Sequence, residues 1–328
     1  MRRAPTHTTK GDPAMSDSAV SGAAALPSRD ERIGFLLVFL SALCWSFGGA
    51  IARYLEVDDS WTVVFWRSFW AAGFLLGFMA WRDGVAGTVA LFRRMGLPGI
   101  AVACCFATAS TSFVVALRYT TVANILLMQA GVPLLAALIA WALFRERVAA
   151  PTWAAIAAVI LGVAIMVSDS FEGNVSPVGD GLALTIALVF ASATVITRRY
   201  AHVRMTPATC LGTLIAAAFA ATQTSGFAVS APDMGFLFVF GALNLGLGLA
   251  FFASGARMIP AAYAALLGTF ETLLGPLWVW LIHDEVPSGR TILGGAVVFA
   301  ALMVHLGLEF RRQMRPARPG TTGMPSPH

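Results

Sequence analysis

Residues 116–148 read ALRYTTVANILLMQAGVPLLAALIAWALFRERV, and residues 255–287 read GARMIPAAYAALLGTFETLLGPLWVWLIHDEVP. Laid on each other without gaps, the two stretches share eight of their 33 residues. Matches of Leu or Ala are common between apolar helices, whereas matches of polar or large residues are not. The informative matches are Arg118 with Arg257, Trp141 with Trp280, and Glu146 with Glu285. Because each stretch holds about 20 mostly apolar residues, the pattern predicts a membrane-spanning helix that occurs twice.

Composition extends this prediction to the whole chain. Of the 328 residues, 58% are hydrophobic and 12% are charged, whereas a soluble domain carries about 25% charged residues. So few charges leave too little polar surface for a soluble protein of this size. Ten apolar runs are long enough to span a bilayer, at 33–53, 60–81, 97–117, 121–143, 151–168, 180–197, 207–226, 234–255, 261–282 and 291–309.

The basic residues indicate an orientation for these ten helices. If the N-terminus is cytoplasmic, 18 of the 22 Lys and Arg lie on the inner side, including those of both tails. Three lie on the outer side, namely Arg53, Arg118 and Arg290, and Arg67 lies within a helix. Since cytoplasmic loops of membrane proteins are enriched in Lys and Arg, this split predicts that both termini are cytoplasmic.

The repeat extends beyond the quoted stretches. Upstream, Ser46, Arg53 and Tyr54 fall on Ser192, Arg199 and Tyr200 at a slightly different offset. The repeat therefore spans five helices, and because five is odd, its second copy crosses the membrane in the opposite direction. The prediction is an all-α polytopic membrane protein, with ten transmembrane helices as two inverted five-helix repeats. The repeats cover 31–170 and 178–309, between a disordered cytoplasmic tail (1–30) and a basic cytoplasmic tail (310–328).

Two similar halves of opposite orientation favour a secondary transporter, because the halves can exchange conformations and give two states of similar energy. The sequence leaves open a symmetric scaffold without transport, a channel and a membrane-embedded enzyme. The only lysine is Lys10, so the chain has no P-loop lysine for ATP hydrolysis. We expect a carrier rather than an enzyme.

The chain resembles the drug/metabolite transporter superfamily, in its EamA-type branch with two EamA repeats, over residues 33–309. The resemblance rests on Pro133 followed by Glu146 in the first half, and on Glu271 followed by Glu285 in the second. It also includes Arg67 in the second helix. Where members often read Glu-Pro, this chain reads Glu271-Thr272. The resemblance implies metabolite transport by alternating access through a cavity between the halves, which helices 3, 4, 8 and 9 line, often for export.

Two ionisable residues at membrane depth are the first candidates for the site. A charged group there costs about 2.5–3.5 kcal/mol on insertion scales, so such residues are usually functional. Arg67 lies about seven residues from the outer end of helix 2, and Glu271 about eleven residues from that of helix 9. We expect both to bind substrate, with Glu271 also carrying a coupling proton. For Arg67, a structural contact with backbone carbonyls or snorkelling to the surface stays open.

Uncharged polar residues complete the predicted substrate-binding set. Pro133 cannot donate a backbone hydrogen bond, so it frees the carbonyl of Gln129 and predicts a kink there. Ordinary helix packing is the alternative for each of these residues. The polar candidates are Thr111, Asn124, Gln129 and Asn244.

The expected partners follow from the same reasoning. We expect a small-molecule substrate, amino-acid-like or otherwise polar or amphipathic, with membrane lipids around the protein and protons as a candidate coupling ion. No cofactor, metal or nucleic acid is expected. The predicted location is the cell inner (plasma) membrane. The sequence leaves open the substrate, the direction of transport, and whether the protein is a monomer or a homodimer.

Overall fold

The computed structural model describes residues 29–146, 148–171, 176–200 and 204–313, and within them every regular element is a helix. A π-helical segment, Val239–Leu247, joins α10 to α11. The other elements are α1 (Arg29–Ser46), α2 (Gly48–Arg53), α3 (Ser60–Arg94), α4 (Gly96–Ala116), α5 (Val122–Gln129), α6 (Val132–Phe144), α7 (Ala150–Phe171), α8 (Pro177–Arg199), α9 (Thr206–Gln223), α10 (Ala231–Phe238), α11 (Gly248–Gly255), α12 (Ala261–His283) and α13 (Gly289–Gln313).

The two predicted tails meet the helices at slightly different places than expected. Helix α1 begins at Arg29, and α13 continues to Gln313. Helix therefore extends into the last residues of the predicted first tail and the first residues of the second. The remainder of the two tails, 1–28 and 314–328, lies outside the described residues.

Eight helices of the described chain are long and apolar enough to cross a membrane, or nine if the bent pair α5–α6 is one span. The chain is therefore a multi-pass membrane protein, but its helices do not establish the predicted number of ten. The difference lies at 207–226, where the structure has α9, a helix of 18 residues with sequence TPATCLGTLIAAAFAATQ. Its polar residues gather at its two ends, which lowers its mean hydropathy.

Three of the spans are interrupted. Helices α1 and α2 form one span broken at Phe47, and α10, the π-helical segment and α11 form another. Helices α5 and α6 meet at 43° across Ala130 and Gly131. This bend confirms the kink predicted from Pro133, which lies in the first turn of α6.

The packing of the helices follows the repeat: when two helices pack on each other, their equivalents in the other half also pack on each other. Helix α4 of the first half packs on α8 and α9 of the second half. The equivalent span of the second half packs on the first half, with the π-helical segment on α3 and α1 and with α11 on α1. Likewise α5 and α6 pack on α8, whereas α12 packs on α1 and α2. The pairs α3 with α9 and α7 with α13 connect equivalent helices directly.

The quoted repeat also has a backbone signature. Arg145 ends α6 at φ 53° and ψ 32°, and Asp284 ends α12 at φ 53° and ψ 25°. These are the only non-glycine residues with positive φ in the described part of the chain, and they occupy equivalent positions of the repeat. This left-handed conformation is costly for a residue with a Cβ atom, so the surrounding structure must impose it.

Helices α7 and α13 touch through glycines. A Cβ atom on Gly162 would lie 2.6 Å from the carbonyl oxygen of Gly294, and one on Gly294 would overlap the carbonyl oxygen of Gly162. Small residues allow such close backbone approach inside a membrane, where packing replaces the hydrophobic effect as the main attraction between helices.

Asp59 fastens the start of α3 to the loop before α10. Its carboxylate accepts hydrogen bonds from the amides of Trp61 and Ser225 and from the hydroxyls of Thr62 and Thr224, at 2.9–3.1 Å. Burial alone would raise the pKa of Asp59, but these hydrogen bonds lower it to about 2. The carboxylate is therefore ionised at any physiological pH.

Candidate functional site

The break between α1 and α2 is held open by Asn244. The side-chain amide of Asn244, in the π-helical segment, donates to the carbonyl oxygens of Cys44 and Trp45. Gly48 lies directly beside this amide. Broken helices leave backbone polar groups that need partners inside a membrane. Asn244 is 5% exposed and supplies them, so its amide nitrogen is committed to the protein rather than free for substrate.

Arg67 also contacts the π-helical segment, through Phe240. It is 6% exposed, and its Nη1 donates to the hydroxyl of Ser110 on α4 at 2.8 Å. Its guanidinium carbon lies 4.3 Å from the ring centre of Phe240 and 5.7 Å from that of Phe113. No carboxylate within the described ranges forms an ion pair with Arg67. The guanidinium is thus stabilised by a hydroxyl and two aromatic faces, instead of by backbone carbonyls.

The break between α5 and α6 exposes the end of α5 to the middle of the bundle. Gln129 is the last residue of α5, and its side-chain Nε2 is buried without a hydrogen-bond partner. Pro133, four residues on, has no amide hydrogen to offer the Gln129 carbonyl. A buried amide donor without a partner costs about 1–3 kcal/mol. Gln129 therefore keeps hydrogen-bonding capacity that a bound solute could use.

Glu271 reaches the same level from α12. Gly275, one turn further along α12, packs against Leu126 of α5 and lies near the carbonyl of Ser46. Because α5 and α12 run in opposite directions, one turn beyond Leu126 is Gln129 and one turn before Gly275 is Glu271. The register therefore places Glu271 and Gln129 at one depth. Glu271 is partly exposed and has no hydrogen bond or ion pair with the described residues.

A pair of aromatic residues connects the α1–α2 break to α12. Trp278 stacks on Phe47, with ring centres 4.8 Å apart and planes inclined by 12°. The indole nitrogen of Trp278 donates to the hydroxyl of Ser46 at 3.0 Å. Ser46, Phe47 and Trp278 thus lie about one to two helical turns along α12 from the level of Glu271 and Gln129. We call Glu271, Gln129, Ser46, Phe47 and Trp278 the central site.

Arg67 and Glu271 lie on helices with different main packing partners. Helix α3 packs on α9, α4, α10 and the π-helical segment, whereas α12 packs mainly on α1, α2 and α5. The guanidinium of Arg67 lies over the ring of Phe240, and the same ring lies beside Gly48, the first residue of α2. Depth can be read from a sequence, but the packing partner of a helix cannot.

Asn124 is engaged by a residue that sequence reasoning missed. Its Nδ2 donates to Asp180 Oδ1 at 2.6 Å and to Thr120 Oγ1 at 2.9 Å. Asp180 lies in the first turn of α8 and is 2% exposed. It was overlooked because it stood at the start of a predicted span, where a carboxylate is ordinarily solvated. Asn124 thus joins α5 to α8, although its Oδ1 is buried without a partner.

Thr111 lies on α4, next to Ser110, the partner of Arg67. It is half-buried, and its hydroxyl makes no hydrogen bond within the described ranges. Helix α4 packs on α8, α9 and α3, so Thr111 belongs to the region around Arg67. Of the six predicted substrate-binding residues, Gln129 and Glu271 lie at one depth on neighbouring helices, Arg67 and Thr111 lie on α3 and α4, and the amide nitrogens of Asn124 and Asn244 are hydrogen-bonded within the protein.

Comparisons with known proteins agree with this architecture. A riboflavin transporter of Rhizobium johnstonii is 24% identical over 311 residues, covering 92% of this chain and all of that protein. A solved crystal structure matches with a TM-score of 0.57 at 20% identity, covering 86% of this chain and 99% of the other. The EamA-like transporter family model matches residues 32–168 and again 177–307. With two matches that together cover most of its length, this multi-pass membrane protein belongs to the EamA-like transporter family.

Proposed function

We propose that the protein is a secondary transporter that moves a small polar or amphipathic solute by alternating access, with the central site as its binding place. The observation that carries the proposal is the break between α5 and α6 beside the unpartnered amide of Gln129, with Glu271 at the same depth on α12. Interrupted helices at mid-membrane supply backbone and side-chain groups to solutes in many transporters. The family and the riboflavin transporter both support a carrier rather than an enzyme.

The proposed topology has ten spans in two inverted five-helix repeats, and α9, predicted from the apolar run 207–226, is the span that its helix length and hydropathy do not establish. The packing of α9 supports its assignment as a span, because α9 lies against α3 and α4, as the symmetry between the two repeats requires. Glu285 and Glu146 end equivalent helices of opposite direction, so we name the two ends of the bundle the Glu285 end and the Glu146 end. The distribution of Lys and Arg favours a cytoplasmic Glu146 end and cytoplasmic termini in the inner membrane.

Glu271 has the central role in the proposal. A carboxylate at this depth without a cation beside it is expensive, and it is retained where function requires it. Its equivalent in the first half is Val132, so symmetry of the scaffold does not demand it. Glu271 binds the solute, or carries a proton in one conformation and releases it in the other.

The relative suggests which solutes to try first. Riboflavin is the substrate named for the Rhizobium johnstonii protein, and the stacked pair of Phe47 and Trp278 offers aromatic surface within the central site. Base-like or flavin-like rings stack on such surfaces. Riboflavin is therefore the first ligand in the screen, followed by amino acids and nucleosides.

The test begins with binding and proceeds to flux. Purified protein is melted with each solute, since a ligand of the folded state raises the melting temperature. The ligand is then used in counterflow with proteoliposomes. Glu271→Gln keeps the side-chain shape and removes the charge. It should abolish net pH-driven uptake, whereas Glu56→Gln, at an exposed glutamate, should transport normally.

Each outcome separates the proposal from its alternatives. Saturable counterflow identifies a carrier, whereas flux without counterflow identifies a channel. Unchanged uptake and unchanged pH dependence in Glu271→Gln would remove Glu271 from the mechanism. Reporter fusions after Arg94 and Arg204 should read cytoplasmic, and a fusion at Ser230 external. A reversal at any of them would refute the ten-span topology.

A further inference from the structure

At the Glu285 end of the bundle, one carboxylate connects α12 to α2 and α5. Left-handed Asp284 turns the chain at the end of α12 and directs Glu285 towards the first half of the protein. Its Oε1 accepts from the backbone amide of Val122, the first residue of α5, at 2.8 Å. Its Oε2 accepts from Arg53 Nε at 2.8 Å and lies 2.7 Å from Nη2. Glu285 thus caps α5 and pairs with the end of α2.

Arg53 extends this connection to the α4–α5 loop. Its guanidinium also donates to the carbonyl oxygens of Leu117 at 2.7 Å and Thr120 at 3.3 Å. One arginine and one glutamate therefore join the end of α2, the α4–α5 loop, the start of α5 and the end of α12. We call this arrangement the Glu285 latch. Both partners are largely shielded, with side chains 30% and 17% exposed.

Every part of this latch has a repeat counterpart at the Glu146 end. Glu146 follows left-handed Arg145, as Glu285 follows Asp284. The offset that pairs these residues also pairs Val122 with Ala261, and each is the first residue of its helix. The upstream alignment pairs Arg53 with Arg199. A second carboxylate, a second helix start and a second arginine are therefore present in equivalent places.

In this structure the second set is not assembled. Glu146 lies 3.5 Å from Arg198, and the two side chains are 49% and 63% exposed, so this pair is weak. Helix α12 begins after Pro260 without a side-chain cap. Helix α6, which Glu146 follows, packs on α8 and α7, whereas α12 meets this span through α5. The helices are therefore joined at the Glu285 end and separated at the Glu146 end.

We propose that Glu146 is the latch of the opposite end. When the Glu146 end closes, the Glu146 carboxylate caps the start of α12 at Ala261, Arg199 takes the place that Arg53 has at the other end, and the Glu285 latch opens. This inference rests on the proposed alternating access. The uncapped amides at the start of α12 carry partial positive charge and need acceptors, and a carboxylate is the acceptor that Glu285 already supplies to α5.

The two latches make the conformational equilibrium adjustable from either end. Removing Glu285 favours the state that is open at the Glu285 end and closed at the Glu146 end. Removing Glu146 favours the state seen here. Each substitution should change the ratio of the two states by about fivefold, the factor that loss of one helix cap produces. Removing both should return the ratio towards its original value.

Distances between spin labels measure this ratio without requiring transport. The full chain, with its four cysteines replaced by alanine, carries labels at Phe144 and Met258, which are 49% and 39% exposed near the Glu146 end. Double electron–electron resonance in nanodiscs should show mainly the long distance. Glu285→Gln should increase the short-distance population, and adding Glu146→Gln should remove that increase. Glu56→Gln, at an exposed glutamate outside both latches, should change nothing.

Neighbouring arginines distinguish the proposed latch from the pair present in this structure. In the Glu285→Gln background, Arg199→Gln should reduce the short-distance population, whereas Arg198→Gln should leave it unchanged. A reversed order would overturn the inference, as would a short-distance population that is indifferent to Glu146→Gln. If distances respond as expected but no solute is transported, the latch stands and the proposed function fails.

Discussion

The contact between α7 and α13 allows a quantitative test of the packing. In Gly162→Ala the new methyl carbon would lie 2.6 Å from the carbonyl oxygen of Gly294 and 2.7 Å from Val298 Cγ2. An unstrained carbon–oxygen contact is about 3.3 Å, so the helices must separate by about 0.7 Å. A gap of this size forfeits a quarter to a half of the dispersion attraction between the facing atoms. The carbonyl belongs to the backbone and cannot turn aside like a side chain.

We expect Gly162→Ala to lower the free energy of unfolding by about 1–3 kcal/mol, the usual cost of overpacking. At about 2 °C per kcal/mol, this corresponds to a fall in melting temperature of about 2–6 °C. The assay is thermal unfolding of the purified protein in detergent, followed by intrinsic tryptophan fluorescence. Gly294→Ala should have a similar effect because its methyl group would overlap the carbonyl oxygen of Gly162.

The matched control is Gly307→Ala on the same helix α13, where a Cβ atom would meet nothing within 4 Å. This variant should melt at or above the wild-type temperature, since alanine favours helix over glycine. The double variant of Gly162 and Gly294 should lose less than the sum of the single losses, because one separation relieves both overlaps. Wild-type melting of Gly162→Ala, or an equal loss in Gly307→Ala, would refute the packing described here.

Three further predictions concern single polar side chains. Asp59→Ala should lower the free energy of unfolding by about 0.5–2 kcal/mol through the lost helix cap. The folded-state pKa of Asp59, about 2, lies below its ordinary value of 3.8. The stability advantage of wild type over Asp59→Asn, measured by thermal melting, should therefore be complete above pH 3.8 and fade as pH falls towards 2. Arg67→Lys should melt lower than wild type, since lysine cannot donate to a hydroxyl and lie flat on aromatic rings at once; a wild-type melting temperature would exclude these contacts. Asn244→Ala should destabilise the α1–α2 break by about 1 kcal/mol, because the carbonyls of Cys44 and Trp45 lose a donor, and faster amide hydrogen exchange in α2 should report it.

Several features of the site are local in origin, and the sequence contains them. Pro133 removes one backbone hydrogen bond, so the bend between α5 and α6 could be predicted without a structure. A carboxylate is unfavourable at its own helix C-terminus, so Glu146 and Glu285 need partners from elsewhere. Glu146 pairs with Arg198, and Glu285 pairs with Arg53 and with the amide of Val122.

Span counting shows where composition becomes insufficient. The apolar run 207–226 predicts a span, but helix α9 is short and has polar residues near its ends, so its mean hydropathy does not establish that span. Its packing against α3 and α4 assigns it a place inside the bundle. Hydropathy measures transfer of a segment into lipid, whereas a helix surrounded by other helices needs little lipid-facing surface.

The sequence by itself determined the membrane environment, the repeat, and the identity of the unusual residues, because each of these depends on composition or on spacing along one chain. Tertiary structure decided which of those residues meet. Arg67 and Glu271 have similar depths, yet α3 and α12 pack on different neighbours, and Asn124 is satisfied by Asp180, 56 residues away. Depth follows from the 1.5 Å rise of a helix, but lateral placement follows from the packing of whole helices against one another, and no single segment of the sequence encodes it.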